Sequence, residues 1–273
     1  MSNVINIGKR LYQRIDEVDV FGWAAQLAYF FLLSLFPFLL FLFNLIGYIP
    51  IDSQMILDFI GQYAPSEITT LIETNVNQIL NQQNGGLLSI GIIGTLWAAS
   101  NAVNAIMKAF NKAYGIEEDR SFIAMRLLAV VLTVAMVMVI IISLLLPIFG
   151  RIIGEFIFSF FGLSDDFLQV WGTLRWVIST VIFFIVLLAL YKLAPNKIIY
   201  FRDAVWGAIL GTILWQIVSF GFSFYVNEIA NYSANYGSLG TIIILMLWFY
   251  LFGIIILLGG VVNATIEQYR KKR

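Results

Sequence analysis

The sequence predicts an all-α fold, a polytopic membrane helix bundle with about six transmembrane helices plus interfacial amphipathic helices. Three observations lead there. Of 273 residues, 60% are apolar and only 12% are charged, about half the roughly 25% charge content of a soluble domain. The mean hydropathy of +0.90 excludes a water-soluble globule. Finally, the apolar residues gather into runs of the about 20 residues that cross a hydrocarbon core roughly 30 Å thick.

Taken in order, residues 1–20 carry Val4, Ile7, Leu11, Ile15 and Val18 at three- and four-residue spacing. That spacing predicts a cytoplasmic amphipathic helix on the membrane surface. The segment holds three bases and three acids, and the apolar run after it is too long for an h-region, so it does not read as a cleavable signal. The first span is expected at 24–49 and is interrupted by Pro37, where a missing backbone donor predicts a kink. The loop 50–86 is the main extracytoplasmic feature. It holds four acids and no base, and its apolar residues suggest two short amphipathic helices broken at Pro65-Ser66.

Further spans follow at 87–107, 127–146, 171–190, 204–227 and 239–262, with a basic cytoplasmic tail at 263–273. The second is weakened by Gly91, Gly94 and a run of alanines, and the fourth carries Arg175 near its start. The stretch 148–163 is apolar but contains Arg151 and Glu155 behind Pro147. Central charges cost about 2.5–3.5 kcal/mol each on insertion, so it reads as an interfacial helix on the outer face. No soluble domain or linker interrupts 1–273, which reads as a single membrane domain.

The loops set the orientation. Lys9, Arg10 and Arg14 precede span one, and Lys108, Lys112, Arg120 and Arg126 lie between spans two and three. Lys192, Lys197 and Arg202 lie between spans four and five, and Arg270, Lys271, Lys272 and Arg273 follow span six. All of these share one side, leaving Arg151 and Arg175 opposite. The positive-inside rule makes that side cytoplasmic, with both termini inside a bacterial cytoplasmic (inner) membrane.

Composition also narrows the chemistry. There is no cysteine and no histidine, which removes thiolate nucleophiles, the commonest general base and the commonest metal ligand. The net charge of zero lacks the basic footprint of a nucleic-acid binder. No catalytic residue, cofactor or metal site is expected. No span carries a mid-membrane charge, which weighs against a proton-coupled antiporter.

The polar groups that remain inside spans are neutral: Gln26, Ser34, Asn44, Asn101, Asn104, Gln216 and Asn227. Pro37, Asn101, Asn104 and Gln216 are the candidate gate and cavity residues, although interhelical hydrogen bonding is the simpler role for the amides. Gly207 and Gly211 form a small-xxx-small packing pattern. The stretch Asn231-Tyr-Ser-Ala-Asn-Tyr-Gly-Ser238 adds Tyr232 and Tyr236 as candidate outer-gate or head-group contacts, or as an interfacial turn. Glu117-Glu118-Asp119 reads as solvated loop charge before it reads as a metal site.

Several motifs together resemble one family. These are Tyr191-Lys-Leu-Ala-Pro-Asn196, Arg202-Asp-Ala, Phe224-Tyr225, Tyr232 with Tyr236-Gly-Ser, Leu247-Trp-Phe-Tyr250 with Leu257-Leu-Gly259, and Ala28-Tyr-Phe-Phe-Leu-Leu-Ser-Leu-Phe-Pro37. The chain resembles the BrkB/YihY-like bacterial membrane proteins over nearly its whole length. That resemblance implies a multi-spanning protein of the cytoplasmic membrane. The family has carried the label ribonuclease BN, regarded as a misassignment, and a loose association with virulence. Gln216 and Val261 stand here where the family often has a glutamate.

The expected function is a non-enzymatic transporter or flippase-like carrier, with the lipid bilayer as partner and a lipid or amphiphile as substrate. A structural or assembly factor without a translocation path is the alternative. A membrane-bound hydrolase or ribonuclease would need Asp16, Glu17, Asp119 and Asp203 to converge in space.

Overall fold

The computed structural model describes residues 2–46, 85–137, 165–225 and 238–271. These form seven helices: α1 (Ser2–Val18), α2 (Val20–Ile46), α3 (Gly85–Tyr114), α4 (Phe122–Val137), α5 (Asp165–Leu193), α6 (Phe201–Phe224) and α7 (Ser238–Lys271). Among the described residues there is no strand. Five helices, α2, α3, α5, α6 and α7, are long and apolar enough to cross a membrane. The fold is the expected all-helical membrane bundle.

The helices overrun the expected spans because a hydropathy window sees only the apolar part of a helix. α5 starts at Asp165 and α6 at Phe201, before the expected 171 and 204. α7 does not stop at 262. It continues through the basic segment to Lys271, because Asn263, Thr265 and Glu267 turn inward and are buried. The third expected span begins as α4, and its remainder lies outside the described residues. The same holds for loop positions 50–84, the segment 148–163, and Tyr232 and Tyr236.

Helices α1 and α2 are separated by Asp19 alone, whose φ of 62° is left-handed, a conformation that Asp tolerates better than most residues. Its carboxylate accepts the Gly22 backbone N–H at 3.2 Å and caps α2. A side chain at Gly22 would meet that carboxylate at 2.3 Å, so the cap requires glycine there. At the far end of α3, Gly115 at φ +66° closes the helix. The Gly115 N–H bonds to the Lys112 carbonyl at 3.1 Å and the Ile116 N–H to that of Asn111 at 3.0 Å, a Schellman closure.

By contacts the chain forms two compact units, Phe30–Ala99 and the remainder, Met1–Tyr29 with Ser100–Arg273. In the first unit α2 and α3 lie close together. A Cβ on Gly91 would sit 2.8 Å from the Phe41 backbone, and one on Gly94 would sit 3.1 Å from Pro37 Cβ. The glycines that weaken the second span in a hydropathy plot are therefore the residues that admit α2. Pro37 lies inside α2, with its ring against Gly94. Ser34 donates to its own helix at the Phe31 carbonyl, 2.8 Å away.

In the second unit α6 packs between α5 and α7, and α1 packs against α7. Gly207 faces α7, where its Cβ would lie 2.2 Å from the Gly259 carbonyl. Gly211 faces α5, where its Cβ would lie 2.9 Å from Leu187. The small-xxx-small pattern thus serves two neighbours. Along the same three helices Phe183, Trp215, Trp248 and Phe252 form a chain of ring contacts, with Trp215 and Trp248 centroids 4.9 Å apart. Large apolar side chains such as Trp176, Trp206, Ile217 and Phe220 point outward, as lipid-facing positions do. The residues most removed from the surface gather at the basic end, around Phe110, Tyr191, Ile256 and Asn263.

Candidate functional site

Two polar arrangements stand out in the larger unit. The first runs along α3. Most α3 side chains from Ala102 to Tyr114 are buried, and Asn101, Asn104, Lys108 and Lys112 mark its more open face. Asn101, Asn104 and Asn111 fall within one narrow arc of a 3.6-residue helix. Asn101 Oδ1 accepts the Arg126 guanidinium of α4 at 2.7 Å. Asn111 donates to Glu118 Oε2 at 2.8 Å and accepts the Asn196 backbone N–H at 2.8 Å. Between these partnered ends, Asn104 Oδ1 is buried and has no hydrogen-bond partner among the described residues.

The second arrangement closes the basic end. Asp203 sits in the first turn of α6, 1% exposed, where the helix dipole favours an anion. It takes both arms of Arg270 from the last turn of α7, with Nη2 at 2.8 Å from Oδ2, a fork geometry only arginine offers. Glu267, 3% exposed, holds Lys197 at 2.9 Å and Lys271 at 2.7 Å. The Lys197 ammonium lies 5.3 Å from the centre of the Tyr114 ring. The Tyr114 hydroxyl is buried and finds no partner among the described residues. Asn263 receives the Gly207 N–H at 2.6 Å and donates to the Ala204 carbonyl at 3.1 Å. Tyr191 donates to the Ile256 carbonyl at 3.0 Å and meets the Phe110 ring at a tilt of 48°, with centroids 5.5 Å apart.

The acidic triplet after α3 is not merely solvated charge. Glu118 accepts from Arg120 Nε and Nη2, each at 2.6 Å, and Arg120 Nη2 also reaches the Ala194 carbonyl at 3.1 Å. Asn196 donates to the Glu117 carbonyl at 3.1 Å and to the Asp119 carboxylate. The Ala194-Pro195-Asn196 turn is thereby clamped to the loop after α3. The Arg120 guanidinium, with help from Asn111, holds the Glu118 carboxyl below the usual carboxylate range. A depressed acid stabilises the fold above its unfolded value and loses that contribution as pH falls through its folded one. The melting temperature should therefore decline as pH drops below about 4, and Glu118→Gln should flatten that part of the profile. Parallel melts of both proteins between pH 7 and pH 3 measure it, and equal slopes would remove Glu118 from the account.

The structure places the sequence-derived candidates unevenly. Asn101 and Asn104 share one face of α3. Gln216 lies on α6 with its amide donating to Thr180 Oγ1 of α5 at 2.9 Å, an interhelical bond. Pro37 packs on Gly94 in the smaller unit. Asp203 stood out from sequence only within the Arg202-Asp-Ala motif and as one of four carboxylates a hydrolase would need, Glu267, Lys197 and Arg270 only as charges outside the spans, and Tyr114 not at all. Only Glu267 and Lys271, four apart on one helix, carried a local signal. Among the described residues no three carboxylates converge as a metal site.

Comparisons with known proteins agree over nearly the whole chain. A family model described as "Virulence factor BrkB" matches residues 11–273. A ribonuclease-like protein, YfkH of Bacillus subtilis, is 51% identical over 96% of each chain. A UPF0761 membrane protein of Alteromonas mediterranea is 27% identical over 96% of this chain and 88% of its own. Another, from Pseudoalteromonas atlantica, is 28% identical over 90% of this chain and 81% of its own. No solved structure matches the chain.

Proposed function

The chain belongs to the BrkB family of integral membrane proteins, and on that premise we propose that it works as a carrier for a lipid or amphiphile. The observation that carries this reading is Asn104, whose buried Oδ1 has no partner among the described residues. Buried polar atoms are nearly always satisfied, and leaving one bare costs about 1–3 kcal/mol. A helix that keeps such an atom between two well-bonded asparagines is suited to receive a polar group from outside the bundle. The head of an amphiphile moving along α3 supplies one. The basic end then faces the cytoplasm of a bacterial inner membrane, following the loop charges.

We read the protein as non-enzymatic. Two-metal hydrolysis needs converging carboxylates. Here Asp203 is bound to Arg270, Glu267 to two lysines and Glu118 to Arg120. The relative's ribonuclease-like name describes that relative.

A structural bundle without a path is the second reading, favoured by the Gln216–Thr180 bond. Two variants separate them. Gln216→Leu should lower stability by about 1 kcal/mol, the size of an interhelical membrane bond. Asn104→Leu should leave the melting temperature unchanged or higher while slowing transbilayer exchange of a fluorescent short-chain phospholipid in proteoliposomes. Exchange no faster than in protein-free vesicles, or unaffected by Asn104→Leu, would reject the carrier reading and leave the structural one.

A further inference from the structure

A cavity of about 170 Å³ opens between α1 and the end of α7, lined by Arg10, Gln13, Arg14 and Glu17 on one side and by Thr265, Gln268 and Tyr269 on the other. We propose that it binds the headgroup of a glycerophospholipid whose head carries N–H or O–H donors, with the phosphate on Arg10 and Arg14 and the donor on Glu17. The inference holds for a carrier and for a structural bundle alike.

The lining follows from helical spacing. Residues 10, 13, 14 and 17 project from one face of α1, and 265, 268 and 269 from one face of α7, so two polar faces enclose the space. Arg14 is fixed in place: its guanidinium donates to the Ala113 carbonyl at the end of α3 and to Gln268 Oε1. Arg10 is exposed. Neither Arg10 nor Glu17 has an ion pair among the described residues. Two guanidiniums one helical turn apart present a fork of donors to a phosphodiester. A lone carboxylate beyond them repels a second anion but accepts from an ammonium or hydroxyl. The volume is roughly six times a water's share of liquid, about 30 Å³, so a headgroup fits and an acyl chain does not.

Depth identifies the source of the phosphate. About 20 residues of helix cross the hydrocarbon core, so α7, apolar from residue 239, leaves the core near Val261. Thr265–Tyr269 then lie roughly 6–12 Å beyond it at 1.5 Å per residue, the level of the headgroups. A pocket at that depth meets lipid phosphate at far higher local concentration than any soluble anion.

The test uses the full chain purified in detergent and titrated with dihexanoyl phosphatidylethanolamine, phosphatidylglycerol, phosphatidylcholine and inorganic phosphate, reading the shift in melting temperature. Phosphatidylethanolamine or phosphatidylglycerol should bind at least about tenfold more tightly than phosphatidylcholine or phosphate, the scale of one charged hydrogen bond. Arg10→Gln, at an exposed position, should leave the ligand-free melt unchanged and weaken that binding about tenfold. Glu17→Gln should bind phosphatidylethanolamine and phosphatidylcholine alike. Equal responses to all lipids in the wild type and in Arg10→Gln would overturn the assignment. So would saturation by inorganic phosphate as tight as by lipid.

Discussion

Gly259→Ala is expected to destabilise the bundle by about 3 kcal/mol or more, because one methyl group meets three atoms that cannot all retreat. The added Cβ would lie 2.1 Å from Tyr191 Oη, 2.6 Å from Cζ and 2.9 Å from the Gly207 carbonyl. Overpacking a dense core costs about 1–3 kcal/mol, occasionally more. Tyr191 is 1% exposed, lies against Phe110 and is tied by its hydroxyl to the Ile256 carbonyl. Moving it strands a buried hydroxyl at about 1–3 kcal/mol. Tyr191→Phe should recover part of the loss in the Gly259→Ala background, since the hydroxyl is the nearest obstacle. Gly221→Ala is the control, since its Cβ meets nothing within 4 Å. Melting temperatures in detergent decide the matter, and a Gly259→Ala protein melting within a degree of wild type would mean that α6 and α7 part easily.

Arg270→Leu is the second large effect. It removes the fork that neutralises Asp203, a carboxylate 1% exposed at the start of α6. Leaving a buried charge without its counterion costs about 3–5 kcal/mol. The loss is smaller here than for an enclosed pair, because the arginine side is 38% exposed and water can partly replace it. Asp203→Asn in the same chain should restore most of the stability, since it removes the stranded charge. A double variant no more stable than Arg270→Leu alone would show that Arg270 acts through packing of its stem.

The long apolar helices were legible because hydropathy is a one-dimensional property, and the centres of α2, α3, α5, α6 and α7 fall inside the expected segments. Their ends were not, because burial of Asn263 and Glu267 depends on what α6 and the 194–200 segment bring to them. Asn101 and Asn104 could be singled out as amides inside an apolar run. What each does depends on Arg126, twenty-five positions on, and on the lack of any such partner for Asn104 Oδ1 among the described residues. Lys197 and Arg270 read only as charges that set orientation. Their carboxylates lie 70 and 67 positions away, and no local pattern joins them. Gly91 and Gly94 only weakened the second span in the sequence, where nothing showed that they are the residues that let two helices touch.

The docking of α1 has a consequence for how the protein is made. Arg14 is held by Ala113, 99 positions later, and by Gln268, 254 positions later. At about 5–20 residues per second, a ribosome needs on the order of tens of seconds between synthesising Arg14 and synthesising Gln268. Throughout that interval α1 has no final seat, and its apolar side must shelter against the membrane or a chaperone. An early helix is thus positioned by one of the latest segments to emerge, so a chain truncated before α7 should leave α1 open to proteases while the earlier spans are already inserted.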